Sequence, residues 1–138
     1  MNDDFELGFW TWYATDEHRL LLDACHGMKA LDFLQSSSSV QSKELNCCPR
    51  CDIGDLTSRV EDFLRCVSMG FPVLERQLME VLDRCNQLPD SALRWDDCEM
   101  FTDPAWEPVR IAASSALQLA GWSNLLDHVD EFLRNGVR

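Results

Sequence analysis

Lysine and arginine are scarce in this chain: 12 stand against 24 aspartates and glutamates, giving a formal net charge of −12 over 138 residues. That shortage argues against direct binding of nucleic acid, because neutralising phosphates needs clustered cations. It argues equally against docking on an anionic membrane surface. Long apolar runs are missing too, and none approaches the ~20 residues that span a bilayer. The opening stretch, MNDDFELGFW, is acidic where a secretory signal would be basic, and Gly8 and Thr11 interrupt its apolar run. A cytoplasmic location is expected. No Gly-rich phosphate loop, G-x-S-x-G or H-E-x-x-H occurs. Strand-like alternation never survives beyond four residues, so the expected fold is all-α.

What is present is enough for a core. Hydrophobic residues make up 46% of the chain, and a length of 138 suits one domain spanning residues 1–138. Seven cysteines without a signal segment read as reduced thiols, several of them buried as small apolar side chains. Helical periodicity places Leu21, Ala24, Cys25, Met28, Leu31 and Leu34 on one face, with Thr15 as the N-cap. Ser36–Ser39 ends that helix, and residues 36–52 read as a flexible loop. Leu56, Val60, Phe63, Leu64 and Val67 form the next stripe, starting from Asp52 or Asp55. After Gly70, Pro72 opens a helix facing inward through Leu74, Leu78, Val81, Leu82 and Cys85. So short a link predicts an antiparallel hairpin. Residues 1–14 are compatible with a short helix or an extended arm. About five helices in antiparallel pairs are expected, as a small bundle or an abbreviated stack.

The stretch DPAWEPVRIAASSALQLAG, residues 103–121, puts Val109, Ala112, Ala113, Ala116, Leu117 and Ala120 on one helical face. Its start is set by Pro104 or Pro108. Four alanines in that face let a neighbouring helix come close. The pattern V-R-x-A-A-x-x-A-L-x-x-x-G resembles the second helix of a HEAT-type repeat, and Trp122–Asn135 resembles the first helix of a following one. The resemblance covers residues 103–135 and implies a helical interaction scaffold, with no reaction attached.

Candidate chemistry is sparse. Cys48-Pro49-Arg50-Cys51 has the spacing of one zinc-ribbon knuckle, yet a structural zinc needs four ligands and the familiar second pair is lacking. Cys25 with His26, Cys66, Cys85 or Cys98 would have to complete it; otherwise these are free thiols. Cys25-His26 neighbours on a helix point about 100° apart and form no nucleophile–base pair. An unfamiliar enzyme site would need Cys25 to meet His128 through tertiary packing.

The connection 89–107 carries Asp90, Asp96, Asp97, Glu99, Asp103 and Glu107 against one cation, Arg94, with Trp95, Phe101 and Trp106 among them. Indoles anchor interfaces and carboxylates pair with a partner's Arg or Lys. The alternative is that those rings fold inward and leave only the acids outside. The N-terminal arm, residues 3–17, has the same acidic–aromatic character. These features predict a non-enzymatic protein-binding inhibitor that blocks the working site of a basic protein, without cofactor, nucleic acid or membrane. Trp95, Asp96, Asp97, Glu99, Asp103 and Trp106 are the expected contacts. In general character such a chain is similar to bacterial immunity proteins and antitoxins. A nucleic-acid mimic that inhibits a nuclease, and a zinc-stabilised adaptor, are the alternatives.

Overall fold

A computed structural model describes the backbone of residues 4–44, 49–68, 70–93 and 98–137, and the side chains of all of these except 49–52 and 98. The regular secondary structure of the described residues is all helical, without a strand. The α-helices are α1 (Phe5–Ala14), α2 (His18–Gln35), α3 (Ser38–Glu44), α4 (Pro49–Val67), α5 (Pro72–Asn86), α6 (Glu107–Ala120) and α7 (Trp122–Asn135). Short 3-10 turns at Asp90–Ala92, Cys98–Thr102 and Pro104–Trp106 join α5 to α6.

Among the described residues, seven α-helices replace the expected five or so. One addition is α1, whose Phe5 and Phe9, one turn apart, are both enclosed. The other is α3, inside the stretch expected as a flexible loop. Its residues, SSVQSKE, have no apolar stripe, and Val40 is exposed. What ties α3 down is Gln41, fully buried, whose Nε2 donates to Phe33 O at 3.0 Å and Leu34 O at 3.2 Å. Those are end carbonyls of α2, where intrahelical donors run out; Phe33 O also accepts from Ser36 N at 3.1 Å. The same stretch loses further length to α4, which starts at Pro49. Thr15 is not the N-cap of α2: its hydroxyl donates back to Thr11 O at 2.8 Å and closes α1, while Glu17 precedes α2.

The predicted stripes face inward. Leu21, Ala24, Cys25, Met28, Leu31 and Leu34 of α2 are buried, as are Val60, Phe63 and Val67 of α4 and Leu74, Leu78, Val81 and Cys85 of α5. Helix α2 packs against α4 and α6, and α5 packs against the same two, so four helices enclose the main core. The α2–α4 contact is close at Gly27, where a Cβ would stand 2.4 Å from Phe63 Cβ. All six predicted face residues of α6, from Val109 to Ala120, are buried. Both candidate prolines serve: Pro104 opens the last 3-10 turn and Pro108 lies in the first turn of α6. Gly121 alone links α6 to α7 at φ 76°, a left-handed conformation that glycine adopts without steric cost. Helices α1 and α7 lie against α2 and α6.

Candidate protein-binding surface

The connection 89–107 turns its described aromatics inward. Trp106 is fully enclosed, and its indole Nε1 donates to Ala92 O at 3.0 Å. Its ring lies 4.9 Å from Phe101, also enclosed, which meets Phe33 edge-on at 5.8 Å. The physical reason is area. A buried indole removes on the order of 200 Å² from water, and satisfying its N–H removes the polar cost of doing so. Trp106 is therefore a core residue and not a surface anchor. Asp103 is half-buried and structural: its Oδ1 accepts from Ala105 N at 2.9 Å and caps the turn before α6. Glu99 is exposed. Trp95, Asp96 and Asp97 lie outside the described residues.

Aromatic side chains reach solvent beside carboxylates elsewhere, where the end of α1 meets α7. Phe9, buried, sets the register of α1 and leaves Trp10 and Tyr13 at the boundary. The Trp10 ring stands 4.7 Å from the His128 ring, edge to face, and 5.8 Å from Tyr13. Tyr13 stacks on Phe132 at 5.6 Å with 18° between planes, and stays 39% exposed. Asp16 and Glu17 follow directly after α1, and both are exposed. Asp127 and Glu131 are exposed on α7, flanking His128 in sequence and one turn apart on the helix. Glu17, Asp127 and Glu131 form no ion pair among the described residues, whereas Asp130 is taken by Lys29 at 3.1 Å. The patch thus combines two accessible rings with carboxylates whose charge is not internally compensated. The acidic–aromatic arm is visible in the sequence. That His128, Asp127, Glu131 and Phe132 join it is not, because α1 and α7 are more than a hundred residues apart.

The three cysteines whose side chains are described are held in unreactive settings. Cys25, Cys66 and Cys85 are buried free thiols. Burial pushes Cys25 up to about 12, and Cys66 and Cys85 up to about 11, so none is a thiolate at neutral pH. His26 sits in a shallow cleft with Asp23, Asp55, Ser58, Arg59 and Asp62. Partial desolvation, assisted by the Arg59 guanidinium, holds its pKa below the usual histidine value. Among the described residues no group of three or more His, Cys, Asp or Glu is arranged to hold a metal ion. Cys47 and Cys48, and the side chains of Cys51 and Cys98, lie outside the described set. No described helix is long and apolar enough to cross a membrane.

Comparison with known proteins adds no identity: no family model, curated protein or solved structure matches this chain.

Proposed function

We propose that this protein is a non-enzymatic binding protein that docks on a basic partner and blocks that partner's working site, in the manner of an immunity protein or antitoxin. The contact surface on this reading is the α1–α7 patch. What supports it is the pairing of half-exposed Trp10 and Tyr13 with the unpaired carboxylates of Glu17, Asp127 and Glu131. Rings at such a boundary supply contact area with little conformational entropy to lose, and the net charge of −12 steers a cationic partner toward the molecule.

The scaffold, on the same reading, is an abbreviated HEAT-like set of antiparallel helix pairs. The one-residue link at Gly121 and the alanine-rich buried face of α6 support it. A cytoplasmic setting suits three buried thiols that remain unbridged.

The test is co-purification from the source organism with wild-type protein and with a Tyr13→Ala, Glu131→Lys variant as parallel baits. A basic protein retained by the wild type, lost by the variant and inhibited at one equivalent is the expected result. A partner held equally by both baits refutes the assignment of this surface, and a retained partner whose activity is unchanged refutes the inhibitor role.

A further inference from the structure

A well-defined concavity of the described molecule lies away from the α1–α7 patch, between α5 and α6. It is a groove of about 730 Å³, walled by Val73, Gln77 and Arg84 on α5 and by Pro108, Ile111 and Leu119 on α6. Gln77 Nε2 donates to Ala112 O at 3.1 Å across its floor, so the two walls are fixed relative to each other. Ile111 is 60% exposed within it, a large aliphatic side chain left in water. From Val73 to Arg84 the wall runs about 16 Å, the length of three helical turns.

The charge of the groove is opposite to that of the molecule. Its charged side chains are Arg76, Arg84 and Glu80. Glu80 is already engaged, accepting from Arg84 Nε at 2.7 Å. Arg76 makes only a long bond from Nε to Pro72 O, at 3.4 Å, and no ion pair among the described residues. A chain carrying 24 acids and 12 bases thus presents an uncompensated guanidinium beside its most accessible isoleucine. Further acids stand at one end. There Leu119 also lines a smaller cleft with Asp4 and Glu6, at the start of α1.

From this geometry we infer that the α5–α6 groove receives a short amphipathic helix of a partner protein, aliphatic on the face that enters and acidic along the edge that meets Arg76. A helix is specified over an extended segment by hydrogen bonding. Both walls are helices whose main-chain groups are paired internally, so they offer no ladder to a strand, while a helical occupant satisfies its own backbone. The sign of the occupant follows from Arg76 and the length from the wall. This surface shares no residue with the α1–α7 patch, and each can fail without the other.

The probe is a display library of helical peptides about 14 residues long, selected on the wild-type protein and counter-selected on Ile111→Asp. Ile111 is exposed, so this variant keeps the core, and unchanged helical circular dichroism verifies it. Enriched peptides should carry aliphatic residues at i, i+3, i+4 and i+7 with net negative charge. In fluorescence anisotropy the best of them should bind Arg76→Glu at least tenfold more weakly than wild type. Enrichment of basic peptides, absence of any Ile111-dependent enrichment, or unchanged affinity for Arg76→Glu would each overturn the proposal. So would a dimer in sedimentation that Ile111→Asp dissociates, since the occupant would then be a second copy of this chain.

Discussion

Arg110 and Gln41 jointly close the C-terminal end of α2. Arg110 Nη2 donates to Gln41 Oε1 at 2.9 Å, and its Nε donates to Ser36 O at 3.1 Å. Gln41 in turn donates to Phe33 O and Leu34 O. The same guanidinium reaches Phe101 O at 2.6 Å and Glu107 Oε2 at 3.3 Å, so one side chain from α6 ties together α2, α3 and the connection before α6. A cation at this end of a helix also meets the negative pole of its dipole.

Removing either partner should therefore cost more than a surface mutation. Arg110→Met leaves several carbonyl acceptors without donors and should destabilise by about 2–4 kcal/mol. Gln41→Leu should cost about 1–3 kcal/mol. Urea denaturation of both singles and the double gives the coupling, expected to exceed ~0.5 kcal/mol. Arg110→Lys should not restore stability, because one ammonium cannot address acceptors in several directions. Full additivity would show that the two act separately.

Two glycines inside helices should respond in opposite directions to the same change. In Gly27→Ala the new methyl would meet Phe63 Cβ at 2.4 Å, so α2 and α4 must separate, at a cost of about 1–3 kcal/mol. Gly54→Ala meets nothing within 4 Å and should stabilise α4 by about 0.5–1 kcal/mol. Thermal melts of the pair decide it; equal signs would contradict the close α2–α4 packing.

The buried thiols set a stability limit on the alkaline side. In the unfolded chain they ionise near 9.0, while the fold keeps Cys66 and Cys85 protonated to about 11 and Cys25 to about 12. Between those values the unfolded state binds fewer protons, so stability falls as pH rises. Below the unfolded value these groups contribute no slope. The urea midpoint should be level with respect to them up to about pH 8.5 and decline above it, and Cys25→Ala should flatten the decline. At neutral pH all three should react slowly with a disulfide reagent until the protein unfolds.

Trp10 and Trp106 should separate binding from folding. Trp10→Ala is expected to weaken a partner complex at least tenfold, about 1.4 kcal/mol or more, while the protein remains folded at the assay temperature, though with a lower melting point because the ring packs on Phe9 and Phe132. Trp106→Phe is expected to lose the bond to Ala92 O and about 1–3 kcal/mol of stability, while folded protein keeps its affinity. Isothermal titration alongside differential scanning calorimetry distinguishes the two. The reverse pattern would return the anchor to the 89–107 connection.

Periodicity was a good guide wherever a helix is held by its own apolar stripe. That is why the faces of α2, α4, α5 and α6 are readable from residues such as Leu21, Val60, Leu78 and Ala113. It failed at α3, whose anchor is the amide of Gln41, a polar side chain that no hydrophobic pattern records. The site divides along the same line. Tyr13 and Glu17 are legible as an acidic–aromatic arm, but the sequence offers no means of telling an indole that faces water from one that faces inward. Trp106 and Trp10 sit in similar acidic company and both meet phenyl rings; of the two, only Trp106 donates its indole N–H to a carbonyl among the described residues.

The one-residue link at Gly121 makes chain length there unforgiving. Inserting or deleting a single residue would rotate α7 by about 100° about its axis, carrying Phe132 off Tyr13 and His128 off Trp10. Evolution could lengthen the connection before α6 far more freely than this junction. Divergent copies of the gene should therefore vary in length across the former and keep strict register across the latter.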